Sequence, residues 1–563
     1  MAKKAGNIFV TAYLLLIFGV YPFYMREGYV DIGRAKYEFF IYCSLAVLVI
    51  LVLIGAVYGM QELGRRIREH EPYFIDWDKL SLTDLLVIMY ATEIFLSFVI
   101  SDYRQEALWG TEGWFMGAAL LLTMCGLYFF ISRFWTGGRA VWCMALVASG
   151  GVFLLGILDR FSVYLIPLEI RQSSFISTLG NINWFCGYLS VIFPIGVCRF
   201  LFREDSGREE NNGQHAPGTV PMLNKNLPAK AAGWLYILYI VIGFMAGFSQ
   251  GSSSIFLFYG ALFYILLWIA VGKRKRLKDF FLLIFLWGLS ALMVRGLGWL
   301  IPEGYNYDRD NLCARVTESP LSFWIAIAAL AIYLLLKRRE NSGNSGKESE
   351  RICVDGKEKQ QGTKIVRKIM AALLAAVVLG WAALTGINTW IGIPGLSGRE
   401  EFLFDQSWGH GRGAAIYSAV QMYGQMPFLH KLLGAGPDCF SAYAYSLPET
   451  AAMLRENFGQ NRLTNAHNEL LTCLINTGFL GAALYIALLI SFIRKCMKKG
   501  KEIPEFYLFG VSIVCYLVHN MVSFAQVLNF PFVILLLAMG EARYNYFCPR
   551  PLTNTENFPT IME

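Results

Sequence analysis

The sequence predicts an all-α fold: a polytopic membrane protein of about fourteen transmembrane helices with one large, partly helical loop outside the membrane. Three observations predict it. The chain is 56% hydrophobic and only 16% charged over 563 residues, more apolar surface than a soluble fold has to bury. The apolar residues come in runs of roughly 17–25, the length at which a helix crosses a hydrocarbon core. The basic residues gather at the ends of these runs, so the net charge of +8 reports orientation and is no mark of a nucleic-acid partner.

The spans are expected to begin near Ile8, Phe39, Leu80, Trp114, Val141, Trp184 and Gly233, then near Ser253, Phe280, Ser322, Ile369, Phe479, Phe506 and Gln526. The first run follows Lys3 and Lys4 and lacks a small-residue cleavage site before Tyr21, so it reads as a retained span rather than a signal peptide. Orientation follows from the basic clusters. Arg65, Arg66 and Arg68 follow the second span, Arg133 and Arg139 the fourth, Arg199 and Arg203 the sixth. Lys273 to Arg276 follow the eighth, Lys337 to Arg339 the tenth, and Arg494, Lys495, Lys498 and Lys499 the twelfth. All lie on the even-numbered side, which is therefore cytoplasmic together with both termini.

The expected organisation is an N-terminal bundle at 1–203, a cytoplasmic linker at 204–230, a central bundle at 231–339 and a second linker at 340–364. A span at 365–394 then leads to an outer loop at 395–478, a C-terminal bundle at 479–541 and a cytoplasmic tail at 542–563. Both linkers are rich in Gly, Ser and charge with no apolar face to bury, a disordered composition.

Twelve cysteines are scattered, with no Cys-x-x-Cys pair and no Cys/His cluster at zinc spacing, so no metal site is expected. Cys313 and Cys439 fall in loops on the outer side, which leaves a disulfide between them open. Asp84, Glu93 and Arg295 interrupt apolar spans, and each is expected to face protein or a water-filled cavity. Three short outer segments are polar: Ser101 to Gly110, Thr178 to Trp184, and Ser249 to Ser254.

The outer loop carries the chemistry. Ser407-Trp408-Gly409-His410-Gly411-Arg412-Gly413 precedes a stretch of helical apolar spacing, and glycines beside Arg412 let a ligand approach. A guanidinium suits phosphate oxygens through paired hydrogen bonds. Gly434-Ala435-Gly436-Pro437-Asp438-Cys439-Phe440 reads as a turn leading towards Tyr443, and Asn465-Ala466-His467-Asn468-Glu469 closes the loop. Each residue also has a plain reading: His467 as a helix-entry residue, Arg412 as a headgroup-facing arginine, Arg399 as an ion-pair partner of Glu400 or Glu401.

The order of these motifs, ending in Thr477-Gly478-Phe479-Leu480-Gly481, resembles the O-antigen ligase and polymerase superfamily. The resemblance is densest from Arg412 to Gly481 and weaker at Leu179 to Asn183 and Ala107 to Gly110. It implies a GT-C-like membrane glycosyltransferase that needs no metal or other cofactor. Such an enzyme would transfer glycan from an undecaprenyl-diphosphate carrier to a glycan, lipid or protein acceptor at the outer face of the bacterial cytoplasmic membrane. By position, Arg412 would engage the diphosphate and His467 would assist deprotonation of the acceptor. Asn468 and Glu469 could orient the imidazole, with Asp438, Tyr443, Arg399 and Arg295 as further substrate contacts. One departure is clear: the arginine that the family often has in the outer turn is missing from Ser249 to Ser254, and Arg399, Arg295 or Arg171 would have to replace it. A transporter or flippase of lipid-linked sugars is the competing class, although the chain lacks the paired halves expected of one.

Overall fold

The computed structural model describes residues 1–69, 80–168, 171–203, 229–302, 311–342, 352–396 and 402–548. Their architecture is a multi-pass bundle of helices. Ten helices are long and apolar enough to cross a membrane, and three shorter apolar ones, Ala118–Phe134, Ile255–Ala270 and Glu505–His519, stand beside them. Helix is what an apolar span must form, because it satisfies every backbone group internally. Each expected span start lies within a helix or just before one. Among the described residues the only strands are Phe175–Ile176 and Gly180–Asn181, an antiparallel pair at the entrance of the Ile182–Leu201 helix.

Burial grades across the bundle. The Ile182–Leu201 helix is buried almost throughout, and the Phe530–Phe547 helix is buried from Phe530 to Arg543. Around this centre, Glu505–His519 packs on Ile182–Leu201, Ala118–Phe134 on Phe530–Phe547, and Leu82–Ile100 on Glu469–Lys499. The Ile32–Glu69, Pro320–Ser342 and Ile352–Trp390 helices leave most of their apolar surface facing outward, as lipid-facing helices do.

Charged residues within the bundle are held by partners. Asp84 forms a capping box with Ser81 and receives hydrogen bonds from Tyr128 and Arg133, both at 2.8 Å. Lys495 pairs with Glu541 at 2.6 Å, and Arg543 with Glu505 at 2.8 Å. Glu93 is different: it is buried, and neither carboxylate oxygen has a partner among the described residues.

Two expectations change. The second linker is part helix, since Pro320–Ser342 runs into it and Ile352–Trp390 begins inside it. Lys357, Glu358, Lys359, Gln360 and Gln361 are good helix formers, so a polar composition did not require a break. Residues 204–228 and 343–351 of the two expected linkers, and the tail from 549, lie outside the described residues. No Cys313–Cys439 bridge exists either. Both thiols are free and buried, Cys313 against the Ser252 carbonyl at 3.5 Å and Cys439 beside Ser101 at 3.8 Å.

Candidate functional site

The polar loop folds into four helices, Trp408–Gln425, Phe428–Leu433, Phe440–Ser446 and Pro448–Phe458. Three of them, Trp408–Gln425, Phe440–Ser446 and Pro448–Phe458, share a small core that includes Ala415, Met422, Phe440 and Leu454, to which Phe428–Leu433 contributes no buried residue. A backbone seam ties this core to the bundle. Ala435 N–H donates to the Ile475 carbonyl and Gly436 N–H to the Asn476 carbonyl, both at 2.9 Å. Gly434 has φ +80°, and a Cβ there would lie 2.2 Å from the Asn476 oxygen. Across the seam, Gly478 has φ +65°, kinks the Glu469–Lys499 helix, and leaves only 2.3 Å between a would-be Cβ and the Leu432 oxygen. Only glycine permits both conformations at this approach. Ser101 Oγ donates to the Ala435 carbonyl at 2.6 Å and Ser97 Oγ to the Asn476 carbonyl at 3.1 Å, so the Leu82–Ile100 helix grips both sides.

This seam fixes the segment that carries His467. Its backbone is left-handed, with φ +48°, a conformation that costs a non-glycine residue about 1–2 kcal/mol. Asn465 Oδ1 accepts the His467 N–H at 2.9 Å and holds it there. The half-buried imidazole stands edge-on to Phe524, centroids 5.9 Å apart. Burial first, and then the nearby charge of Arg412, lowers its pKa from the ordinary value to about 4. The ring is therefore neutral at pH 7, with a nitrogen free to accept a proton.

Arg412 is the fifth residue of the Trp408–Gln425 helix, whose start is irregular because Gly409 and Gly411 have positive φ. Its Nη1 donates to the Gly409 carbonyl at 3.1 Å, while its Nε is buried without a partner among the described residues. Among the described residues no carboxylate forms a salt bridge with it. Burial lowers the guanidinium pKa, the sign of a cation short of compensating contacts.

A chain of side-chain contacts runs from the Ser249–Ser254 turn to the same place. Ser252 Oγ reaches Asn183 Oδ1 at 2.6 Å and Ser254 Oγ at 2.8 Å; Ser254 Oγ meets His519 Nε2 at 3.3 Å. His519 Nδ1 meets Asn520 Oδ1 at 3.1 Å, and Asn520 Nδ2 donates to Glu469 Oε2 at 3.4 Å. The turn has no arginine of its own, but Arg160 donates to the Gln250 carbonyl at 2.6 Å and to the Ser173 carbonyl at 2.8 Å. Beside this chain is a cavity of ≈ 50 Å³, lined among others by Trp114, Asp438, Asn465, Glu469, Thr472 and Phe524.

The remaining expected residues separate. Asn468 caps the Glu469–Lys499 helix through the Leu471 N–H at 3.1 Å and donates to the Met521 carbonyl at 2.9 Å. Glu469 accepts from the Ala525 N–H and from Asn520. Neither holds the imidazole, because a helix starting at Glu469 turns successive side chains about 100° apart and away from His467. Asp438 accepts the Thr111 and Met116 N–H groups at 2.7 and 3.0 Å, and burial pushes its carboxyl up to about 7 in spite of them. It lines the cavity but is engaged with the loop before Ala118–Phe134. Tyr443 packs at the edge of the loop core, and burial raises its phenol pKa. Arg295 stacks on Trp299 at 4.6 Å, with no described contact to Arg412 or His467. Arg171 is held by Tyr164 and Asp159. Arg399 lies outside the described residues.

Sequence reading did not connect His519 or Arg160 to the Ser249–Ser254 turn, or Phe524 to His467. A signal existed for the third. Asn520, Ser523, Gln526 and Asn529 are all buried in the gap between two helices, and four polar residues so close together in an apolar region mark a non-helical, protein-lined segment.

Residues 312–486 match the family model described as O-antigen ligase, a stretch that contains Arg412, Asp438 and His467. This stretch of the chain is therefore similar to that family, in agreement with the motif order from Arg412 to Gly481. No curated protein matches the chain.

Proposed function

We propose that the protein transfers glycan from an undecaprenyl-diphosphate carrier to an acceptor hydroxyl at the outer face of the cytoplasmic membrane. The observation that carries this reading is Arg412, a half-buried guanidinium whose Nε is buried without a partner and which pairs with no carboxylate among the described residues, near a histidine whose pKa is lowered to about 4. A site of that kind suits an anionic ligand.

In the proposed reaction the acceptor oxygen attacks the anomeric carbon of the lipid-linked glycan. As the new C–O bond forms, the bond from that carbon to the diphosphate breaks, and its electron pair leaves on the phosphate oxygen. Arg412 stabilises the charge that develops there, which a fixed donor in a water-poor site does effectively. His467 takes the hydroxyl proton as general base. Arg160 adds positive charge at the Ser249–Ser254 turn, where the turn's own sequence has none. Phe524 and Trp114, centroids 4.8 Å apart at the cavity, limit water near the reacting atoms.

The test uses the purified protein in lipid nanodiscs with undecaprenyl-diphosphate-linked oligosaccharide, following glycan transfer and lipid release together. His467→Ala should lower kcat roughly 10²–10⁴-fold. Arg412→Ala should lower it roughly 10²–10³-fold. Wild-type turnover in both variants would sink this site. Movement of the lipid across the bilayer with no new glycosidic bond would favour a transporter.

A further inference from the structure

A second site lies on the same loop, away from the Arg412–His467 pair. Between the end of the Pro448–Phe458 helix and the strand of chain that leads into His467, Tyr445, Arg455, Gly459, Gln460, Asn461 and Arg462 line an open groove of ≈ 450 Å³. Two of its side chains, Arg462 and Tyr445, are held in place. Arg462 Nε donates to Ser441 Oγ at 2.8 Å, and the guanidinium lies over the Tyr445 ring at 4.9 Å, so its terminal nitrogens remain available as a fork. Tyr445 is itself anchored, its hydroxyl accepting the Leu463 N–H at 3.0 Å. Gly459, φ +59°, closes the helix by donating its N–H to the Arg455 carbonyl and turns the chain so that Arg455 and Arg462 flank one groove. Arg455 is exposed, and its guanidinium has no described partner.

We infer that this groove is an oligosaccharide-binding subsite for an anionic glycan, one bearing carboxylates or phosphates along its chain. Two forked cations, an aromatic ring and two carboxamides are the side chains that together bind acidic sugars: guanidinium for the anionic groups, amides for hydroxyls, the ring for a sugar face. Lipid headgroups would require only the charge. The position also points to glycan. Arg462 is five residues from His467, which puts the groove at most about 17 Å of chain from the proposed base, a gap that a short oligosaccharide bridges. The inference rests on the reading of His467 as part of a glycan-transfer site, and it adds that the glycan is acidic and is held several sugars away from the reacting end.

The experiment measures equilibrium binding of hexagalacturonic acid, with maltohexaose as the neutral control, to the full-length protein in uncharged detergent. Hexagalacturonic acid should bind at least tenfold more tightly than maltohexaose, and Arg455→Gln/Arg462→Gln should remove that preference. Arg455→Gln alone, at an exposed side chain with no described partner, should weaken binding several-fold without affecting the fold. Arg462→Lys, which keeps the charge but not the fork, should be intermediate. His467→Ala should bind hexagalacturonic acid like the wild type, so a failure of the transfer mechanism is distinguishable from a failure of the groove. Equal affinity for the two hexasaccharides, or unchanged binding by the double variant, overturns the inference. So does a double variant that loses only its retention on phosphatidylglycerol vesicles, an outcome that assigns the groove to lipid headgroups.

Discussion

Arg412 and His467 illustrate how one charge can serve two purposes at the scale of single residues. In the free protein the guanidinium helps to hold the imidazole near a pKa of about 4, so His467 is in its basic form at any pH well above that value. A bound diphosphate would neutralise Arg412 and bring negative charge of its own, and the imidazolium would then be easier to form when the acceptor proton has to be taken up. The sign is testable. Activity needs the neutral ring, so both kcat/KM and kcat fall on the acid side. The limb of kcat/KM, which reports the free enzyme, should lie near pH 4, and the limb of kcat, which reports the donor complex, should lie at higher pH. Coincident limbs, or a reversed order, would remove the proposed coupling. Residue roles were unevenly legible in the sequence. Arg412 and His467 were singled out by the motifs that flank them, whereas Glu469, expected to orient the imidazole, and Asp438, expected to contact substrate, are engaged elsewhere. Their carboxylates are taken up by Ala525, Asn520, Thr111 and Met116, partners far along the chain that no local spacing reveals.

Among the elements, the decisive one is the seam between the Gly434–Gly436 turn and the kinked Glu469–Lys499 helix. The sequence showed a Gly-x-Gly-Pro turn and a Thr-Gly-Phe-Leu-Gly opening as separate motifs, and the structure reveals them as the two sides of one contact. Span starts were legible because apolar length is a local property, and the helix from Ile352 was obscured because polar composition masked its propensity. The kink was illegible, since Gly478 departs from helical geometry only to let the Leu432 carbonyl approach. Gly434→Ala should therefore damage the site without touching it chemically. Alanine at positive φ costs about 1–2 kcal/mol, and the Asn476 oxygen must also retreat from a Cβ at 2.2 Å. The expected result is a lower thermal midpoint in detergent, together with a loss of turnover larger than the loss of folded protein. Gly424→Ala is the control, because a Cβ there meets nothing within 4 Å. Equal midpoints for the two variants would show that the seam does not hold the loop.

At the scale of the whole molecule, the bundle has two ends, and the proposed reaction requires the polar loop to be on the outer one. The helix that starts at Glu469 connects them. Its first turn adjoins His467, while its last carries Lys498 and Lys499 beside Gly500. With 31 residues at about 1.5 Å rise each, this helix is long enough to cross a bilayer even with a kink. If the helix spans, it sets His467 and Lys499 on opposite sides, and the basic end is cytoplasmic if arginine and lysine set the orientation. Cysteine labelling tests the pair together. Gln460 and Lys498 are both exposed, and replacing each in turn by cysteine in a background without other reactive thiols gives one probe per end. A membrane-impermeant maleimide added to intact cells should label Gln460→Cys and should reach Lys498→Cys only after permeabilisation. The opposite pattern would put the Arg412–His467 site in the cytoplasm, where a lipid-linked donor already moved to the outer leaflet is out of reach. Labelling of both in intact cells would mean that the helix does not cross, and the separation between a basic anchoring end and a catalytic end would be lost with it.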